Sequence, residues 1–264
     1  MKGSDLIRYL FTYYTDKGPC RDVNQDALCF RAAEYDGNTY LFAAVCDGMG
    51  GLSEGEKASS YIIKKLTEWF SGYFSALIKQ KKGMLEIRKN LDDYLHILND
   101  RINGYSADKG ISIGTTMTAF LIFGNEKRML TAHVGDTRAY KITDSDIEVL
   151  THDHSVVGEE VLEGVLTEEK ANKDSRQNQL VKCIGAEFED ISYDYLISDT
   201  EECCYMLCSD GFRKEISIKE LHEALKPSAI TDESQAQTVL KKLTDTCIDR
   251  KENDNITSLL LKIF

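Results

Sequence analysis

The sequence contains only two prolines, Pro19 and Pro227, and no stretch rich in proline, glycine or serine. Segments of that composition connect independently folded domains, so the usual signal of a linker is missing. The chain also has no internal repeat and no low-complexity tract, which argues against a solenoid or a long disordered segment. We therefore expect one compact domain spanning residues 1–264.

Long apolar runs and clusters of positive charge are missing as well. The longest apolar stretches, 41–46 and 117–123, have the length of strands, whereas a membrane-spanning helix needs about 18 apolar residues. Residues 1–10 contain no secretory hydrophobic segment. The 32 lysines and arginines face 44 aspartates and glutamates, a formal charge of −12, whereas surfaces that bind nucleic acid are basic. We expect a soluble, cytoplasmic protein that neither crosses a membrane nor binds nucleic acid.

The cysteines and histidines lack the spacings that mark metal or redox sites. Eight cysteines include no CxxC pair, and five histidines include no HxxxH pair. No cysteine lies in an HCxxxxxR loop of the kind that cradles phosphate against a thiolate. In a chain without a secretion signal, such cysteines are predicted to be reduced and packed as small hydrophobic side chains.

Hydrophobic periodicity predicts strands that come in hairpin-linked runs. Segment 40–46 is apolar on both faces, which is typical of a central buried strand. The predicted strands are 26–31, 40–46, 115–123, 128–134, 138–142, 191–197, 204–208 and 255–263.

Helices are predicted in pairs between these runs. The first starts at a capping box formed by Ser53 and Glu56, and a second follows it; two more cover 217–225 and 234–248. The apolar faces of the first two helices are Ala58, Ile62, Leu66, Trp69, Phe70 and Tyr73, and Leu85, Leu91, Leu95, Leu98 and Ile102. This order differs from the strict alternation that builds a parallel sheet. It predicts an α+β fold in which a central antiparallel β-sandwich is flanked on both faces by helix pairs.

Aspartates recur beside glycines at the ends of the predicted strands. Asp47, Asp136 and Asp210 occur in the segments Asp47-Gly48-Met49-Gly50-Gly51, Gly135-Asp136 and Asp210-Gly211, and Asp254 precedes the last strand. Each Asp-Gly alone is usually only a turn. Several carboxylates that converge without basic partners need cations, and oxygen ligands suit Mg²⁺ or Mn²⁺. Two such ions about 4 Å apart can share a hydroxide and hold a phosphoryl oxygen.

The ordered set of motifs resembles the metal-dependent serine/threonine protein phosphatases (the PPM, or type 2C, family), and is most similar to the short bacterial members. The resemblance runs from about residue 15 to 264. Its motifs are Arg21-Asp22-Val23-Asn24-Gln25-Asp26, Asp47-Gly48-Met49-Gly50-Gly51, Gly114-Thr115-Thr116, Val134-Gly135-Asp136-Thr137-Arg138, Leu150-Thr151-His152-Asp153-His154-Ser155, Ser209-Asp210-Gly211 and Asp254-Asn255-Ile256-Thr257.

The resemblance implies a four-layer α-β-β-α fold and a role for each matched position. Asp47 would bridge two Mn²⁺ or Mg²⁺ ions, Gly48 would offer one of them its carbonyl, and Asp210 and Asp254 would complete the ligands. Asp136 matches the ligand of a weaker third metal ion. Asp26 would orient metal-bound water, and Arg21 would bind the substrate phosphate.

The implied activity is hydrolysis of phosphoserine and phosphothreonine in proteins by a hydroxide shared between the two ions. The implied partners are phosphorylated substrates of a serine/threonine kinase. Residues of about 156–180 match a variable flap beside the site, where peptide selectivity would reside.

Two positions depart from the family pattern. Gln25 stands where some relatives have a glutamate that helps to hold a metal ion, so any contact there is weaker or passes through water. Met49 stands where others have a histidine, so the proton for the leaving group must come from metal-bound water or another group. His133, His152 and His154 lie near the motifs, and we expect them mainly to pack and form hydrogen bonds. Arg138 is expected to pair with a carboxylate.

Two other functions remain open from the sequence. A catalytically silent relative would bind a phosphoprotein as a scaffold, although Asp47, Asp210 and Asp254 argue against it. A hydrolase of small phosphoesters is the second alternative. Comparing phosphate release from a phosphothreonine peptide, sugar phosphates and nucleotides would separate the three.

Overall fold

The computed structural model describes residues 7–50, 54–171, 173–188 and 191–264. Within these ranges the strands form two antiparallel sheets. The strands are β1 Tyr9–Asp16, β2 Asp26–Tyr35, β3 Asn38–Gly50, β4 Ile113–Thr115, β5 Met117–Phe123, β6 Arg128–Val134, β7 Arg138–Ile142, β8 Ile147–Val149, β9 Ile184–Gly185, β10 Asp194–Asp199, β11 Cys204–Cys208 and β12 Ile256–Ile263.

The two sheets face one another. One has the order β1-β12-β11-β7-β8, and the other has the order β10-β6-β5-β3-β4-β9, with β2 paired to β3. Leu41, Ala43 and Val45 of β3 pack between the sheets with Leu259 and Leu261 of β12. The predicted burial of segment 40–46 on both faces is therefore confirmed.

Helices cover the outer faces of both sheets. The α-helices of the described residues are α1 Gly55–Trp69, α2 Ser75–Lys79, α3 Met84–Lys109, α4 Val156–Leu162, α5 Glu168–Ala171, α6 Asp210–Arg213, α7 Ile218–Leu225 and α8 Glu233–Asp249, of which α4 and α5 lie away from these faces. The long helices α1 and α3 pack on the sheet of β3, where Phe42 and Ala44 meet Leu66 and Leu95. On the other side, α7 and α8 pack on β11 and β12, where Leu221 and Leu240 bury Met206. The predicted four-layer α-β-β-α architecture is confirmed.

The start of the first helix pair differs in detail from the prediction. Ser53, the predicted cap, lies outside the described residues, and Glu54 is the cap observed. After Trp69 the chain makes a π-helical turn, Phe70–Phe74. Because this turn holds extra residues per revolution, Phe70 and Phe74 are buried while Tyr73 is 58% exposed. Leu85 is also exposed, at 69%, and Met84 and Ile87 face the core in its place.

Several short or edge elements of the described residues were not predicted from the sequence, among them one strand and two helices. Strand β1 lies at a sheet edge and pairs with β12 from Tyr9↔Ile263 to Asp16↔Ile256. The polar stretch that follows His154 contains the short helices α4 and α5. In the parts of the chain that the structure describes, no helix has the length and apolar character needed to cross a bilayer.

Candidate active site

The five predicted aspartates lie at one end of the sandwich. Asp26 opens β2 and is paired in register with Asp47 of β3. Asp136 lies in the turn between β6 and β7, Asp210 follows β11 after one intervening residue, and Asp254 precedes β12. Strands that run in opposite directions begin and end at this edge, so residues more than 200 positions apart in the chain meet there. The structure brings all five aspartates together.

The proximity of these carboxylates changes their ionisation. Burial and the charges of Asp26, Asp210, Asp136 and Asp254 raise the pKa of Asp47 well above its usual value. Burial, with Asp210 as the main charged neighbour, raises the pKa of Asp26 and of Asp136 to about 7. The cluster therefore favours either bound protons or bound cations.

Unpartnered oxygens show that the cluster fits hard cations. Both carboxylate oxygens of Asp26 and Oδ1 of Asp210 are buried and have no hydrogen bond of good geometry from the described residues, although the hydroxyls of Thr257 and Ser209 lie near Asp26 and act to lower its pKa. Such oxygens are costly to bury unless they bind something. Carboxylate oxygens are the ligands that Mg²⁺ and Mn²⁺ prefer, so the donors present match the metal ions that the family resemblance implies.

Backbone contacts hold Asp47 and Gly48 in place. The Asp47 carbonyl accepts hydrogen bonds from the Thr116 N–H (2.9 Å) and the Thr115 hydroxyl (2.8 Å). The Gly48 N–H donates to the Gln25 carbonyl at 3.0 Å. A Cβ on Gly48 would lie 2.2 Å from the Gly55 carbonyl oxygen, so only glycine fits between β3 and the start of α1.

Arg21 lies at the rim of the cluster, on the loop that joins β1 to β2. Its Nη2 donates to Oδ2 of Asp254 at 2.9 Å, and its side chain is 47% exposed. Asn255 fastens this loop. Its Oδ1 accepts from the Gln25 N–H (2.8 Å), and its Nδ2 donates to the carbonyls of Lys17 (2.8 Å) and Val23 (3.1 Å).

A cluster of cations lies beside Asp136. Arg138 donates two hydrogen bonds to Asp153, at 2.7 and 2.9 Å, as expected for this arginine. Arg213 donates to the same carboxylate at 2.7 Å and to the Asp136 carbonyl at 3.2 Å. Burial alone would raise the pKa of Asp153, but the two guanidinium groups lower it to about 2.

Lys214 forms an ion pair with Oδ2 of Asp210, one helical turn before it. Burial alone would raise the pKa of Asp210, but the Lys214 ammonium, assisted by Arg213, holds it below its usual value.

The three histidines near the motifs form a supporting network. The ring atoms of His152 and His154 and an oxygen of Asp194 lie within 4.8 Å of one another, a spacing that would also suit a metal ion. However, Nδ1 of His154 accepts from the Gly135 N–H (3.1 Å), so the proton of the neutral ring is on Nε2, which donates to Asp194 (3.2 Å). Burial lowers the pKa of His133 to about 3. The network supports the turn that carries Asp136.

Asn255, Arg213 and Lys214 were not singled out from the sequence. Asn255 directly follows Asp254 in the motif Asp254-Asn255-Ile256-Thr257. This position beside a predicted metal ligand is the signal by which the sequence could have indicated it. Arg213 and Lys214 follow the Asp210-Gly211 motif, but two adjacent cations after a helix start are usually solvent-exposed. Their burial depends on the approach of Asp153 and Asp136, which no local pattern records.

Comparison with known proteins shows the family to which this chain belongs. The family model described as Protein phosphatase 2C matches residues 21–246. The protein phosphatase PhpP of Streptococcus pneumoniae is 31% identical over 212 residues, which cover 79% of this chain and 81% of PhpP.

Solved structures show the same fold. The S. agalactiae serine/threonine phosphatase is 28% identical with a TM-score of 0.80, covering 97% of this chain and 99% of that one. The catalytic domain of the serine/threonine protein phosphatase PstP, solved with two manganese ions, shares the fold at a TM-score of 0.75 and 22% identity, covering 97% and 99%. The chain therefore belongs to the protein phosphatase 2C (PPM) family of serine/threonine protein phosphatases.

Proposed function

We propose that this phosphatase hydrolyses phosphoserine and phosphothreonine in proteins with the help of two divalent cations, Mn²⁺ or Mg²⁺. The observation that carries this proposal is the convergence of Asp26, Asp47, Asp210 and Asp254 with buried, unpartnered carboxylate oxygens. The structure of PstP with two manganese ions supports the choice and the number of ions.

Asp47, Asp210, Asp254 and the Gly48 carbonyl would hold the two ions. When bound, the ions supply a hydroxide nucleophile at neutral pH and neutralise charge on the phosphoryl oxygens. Asp26, with both oxygens buried and unpartnered, orients the attacking water. The fold supplies rigidity, because the Asp47 backbone is held on both sides by Thr115 and Thr116.

Arg21 binds the substrate phosphate. Among the described contacts only its Nη2 is engaged, so Nε and Nη1 remain to meet two phosphate oxygens. The water oxygen forms a bond to phosphorus as the bond to the seryl or threonyl oxygen breaks, and the leaving oxygen takes a proton. Met49 cannot donate this proton, so it comes from water in the site or from another group.

The flap, residues of about 156–180, is the proposed place of peptide selectivity. A cavity of about 350 Å³ separates its helices α4 and α5 from the cation cluster, with Val157, Val161 and Ala171 on one side and Arg138, Arg213 and Lys214 on the other. One wall is apolar and the other is charged, which suits a side chain near the phosphorylated residue. Within the flap, Arg176 donates two hydrogen bonds to Glu160 of α4, at 2.7 and 2.9 Å, and so joins the segment after α5 to α4.

The test is phosphate release from a phosphothreonine peptide with Mn²⁺, with Mg²⁺ and with EDTA, for the wild type and Asp210→Asn. We expect release only with a metal ion, and a loss of several orders of magnitude in turnover and a lower metal affinity in the variant, with the fold retained. The matched control is Asp245→Asn, which removes an exposed carboxylate that also pairs with a lysine four residues away, Lys241.

Near-normal turnover of Asp210→Asn at low Mn²⁺ would contradict the site assignment. No release from the folded wild type with any metal ion would instead indicate a silent scaffold. Faster release from sugar phosphates or nucleotides than from the peptide would indicate a small-molecule hydrolase.

A further inference from the structure

The ion pair between Lys214 and Asp210 differs from the other lysine–aspartate pairs of this chain. On the surfaces of the helices, pairs four residues apart are open to water; Lys241 and Asp245, for example, have side chains 53% and 54% exposed. The Lys214 and Asp210 side chains are only 14% and 8% exposed. Here the ammonium group is therefore placed inside the carboxylate cluster rather than beside it.

On the Asp136 side of the site, carboxylates and cations are equal in number. Three carboxylates, those of Asp136, Asp153 and Asp210, face three cations, Arg138, Arg213 and Lys214. Both arginines are bound to Asp153. The Lys214 ammonium is left to face Asp210, with which it pairs, and Asp136, whose charge also acts on it.

On the opposite side of the site, the carboxylates outnumber the cations. Asp26, Asp47 and Asp254 face one cation, Arg21, whose contact is with Asp254 alone. Both carboxylate oxygens of Asp26 and Oδ1 of Asp210 have no hydrogen-bond partner among the described residues, whereas Oδ2 of Asp210 is the oxygen that Lys214 holds. Asp210 thus lies between two sides of the site. On one side the only cation in the described part of the chain is Arg21, and on the other Arg138, Arg213 and Lys214 supply positive charge.

We propose that the Lys214 ammonium takes the place of the weaker third metal ion that the family resemblance predicted at Asp136. This proposal rests on the two-ion site proposed above. A tethered cation supplies the positive charge beside Asp136 and Asp210 at any metal concentration, and its repulsion keeps a divalent ion out of that position. The chain then binds two ions rather than three.

The experiment counts bound Mn²⁺ per chain by equilibrium dialysis and metal analysis, so that its result does not depend on turnover. We expect two ions in the wild type and two in Asp136→Asn. Lys214→Met keeps an unbranched side chain of similar length without the charge, and it should gain a third ion. Adding Asp136→Asn to Lys214→Met should remove that ion again. Lys214→Arg, which keeps the charge, and Lys219→Met, which removes an exposed lysine from α7, should stay at two.

Three ions in the wild type with a loss of one in Asp136→Asn would overturn the proposal, as would two ions in a folded Lys214→Met. If Lys214→Met does not fold, the wild type and Asp136→Asn still decide, because a third ion at Asp136 would make their counts differ. Fewer than two ions in the folded wild type would contradict the proposed two-ion site itself, which is a separate failure.

Discussion

Asn255 is expected to contribute more to stability than any other uncharged polar side chain near the site. It is 2% exposed, and its amide group makes three hydrogen bonds that join β12 to the loop carrying Arg21. Net contributions of such bonds are about 1 kcal/mol each. Asn255→Ala should therefore lower the free energy of unfolding by about 3 kcal/mol, a change of about 100-fold in the folding equilibrium.

This loss can be measured by equilibrium unfolding in urea, in EDTA so that metal binding does not add to stability. Trp69 is the only tryptophan, it is fully buried, and its fluorescence reports the transition. For a chain of this size the loss corresponds to a melting temperature lower by about 6 to 12 °C. Because the loop carries Arg21, the variant should also show a higher KM for a phosphopeptide.

Two variants control this prediction. Asn253→Ala removes an exposed amide whose oxygen accepts one bond, from the Cys20 thiol, and should change stability by less than about 0.5 kcal/mol. Asn255→Asp keeps the acceptor for the Gln25 N–H but cannot donate to the two carbonyls, so it should be destabilised at least as much as Asn255→Ala. If Asn255→Ala matches Asn253→Ala within error, the three bonds do not carry the stability assigned to them.

Two further predictions concern charge at the site. Arg21→Ala should mainly raise KM for a phosphopeptide, since its exposed guanidinium binds the phosphate; an unchanged KM in steady-state kinetics would remove Arg21 from that role. In EDTA, the pKa of Asp26 and Asp136 is about 7 in the folded chain against an ordinary 3.8, so the folded chain binds more protons than the unfolded chain between these values. The buried His133 has the opposite effect on stability below its ordinary pKa of 6.5, because its pKa in the folded chain is about 3. The melting temperature should therefore fall as pH rises from 6.5 to 8, and a flat or rising trend in this range would show that these carboxylates are not protonated in the metal-free protein.

Strongly patterned segments could be predicted from the sequence, and weakly marked ones could not. Strand β3 is apolar on both faces and bounded by turns, so its central place in the sandwich follows from composition alone. Strand β1 pairs with β12, whose residues are more than 200 positions away, and no turn or hairpin marks it. The local signal for this strand is the alternation of aromatic side chains within Tyr9–Asp16.

Helical periodicity predicts which residues are buried only where the helix keeps 3.6 residues per turn. A stripe at 3.6 residues per turn placed Tyr73 on the buried face, but the π-helical turn at Phe70–Phe74 changes the phase of the helix. Phe70 and Phe74 then face the core, where their stacked rings lie 4.9 Å apart. Where an extra residue enters a helix depends on the packing of the sheet beneath it, which a single sequence does not show.

The same distinction applies to the residues of the candidate site: those in a clear local pattern could be predicted, and the others could not. Asp47 and Asp210 could be predicted because each follows a buried strand and precedes a glycine. Lys214 and Asn255 depend on segments far away in the chain, since Lys214 reaches Asp136 and Asn255 reaches Lys17 and Val23. Sequence motifs indicate the residues that would bind a ligand. The residues that neutralise their charge or hold them in position come from distant parts of the chain, so they are recognised only in the folded structure.

The arrangement of charge links folding to ligand binding. Carboxylates that are brought together at the end of a sandwich repel one another, and burial adds to that cost, so the metal-free site destabilises the fold near neutral pH. A divalent cation that binds the folded chain alone reverses this effect and stabilises it in proportion to the logarithm of its concentration. Lys214 and the two arginines at Asp153 offset part of the unfavourable charge on the Asp136 side of the site. The dependence of stability on metal ions should therefore come mainly from Asp47, Asp210 and Asp254, with Asp26 beside them, and less from Asp136.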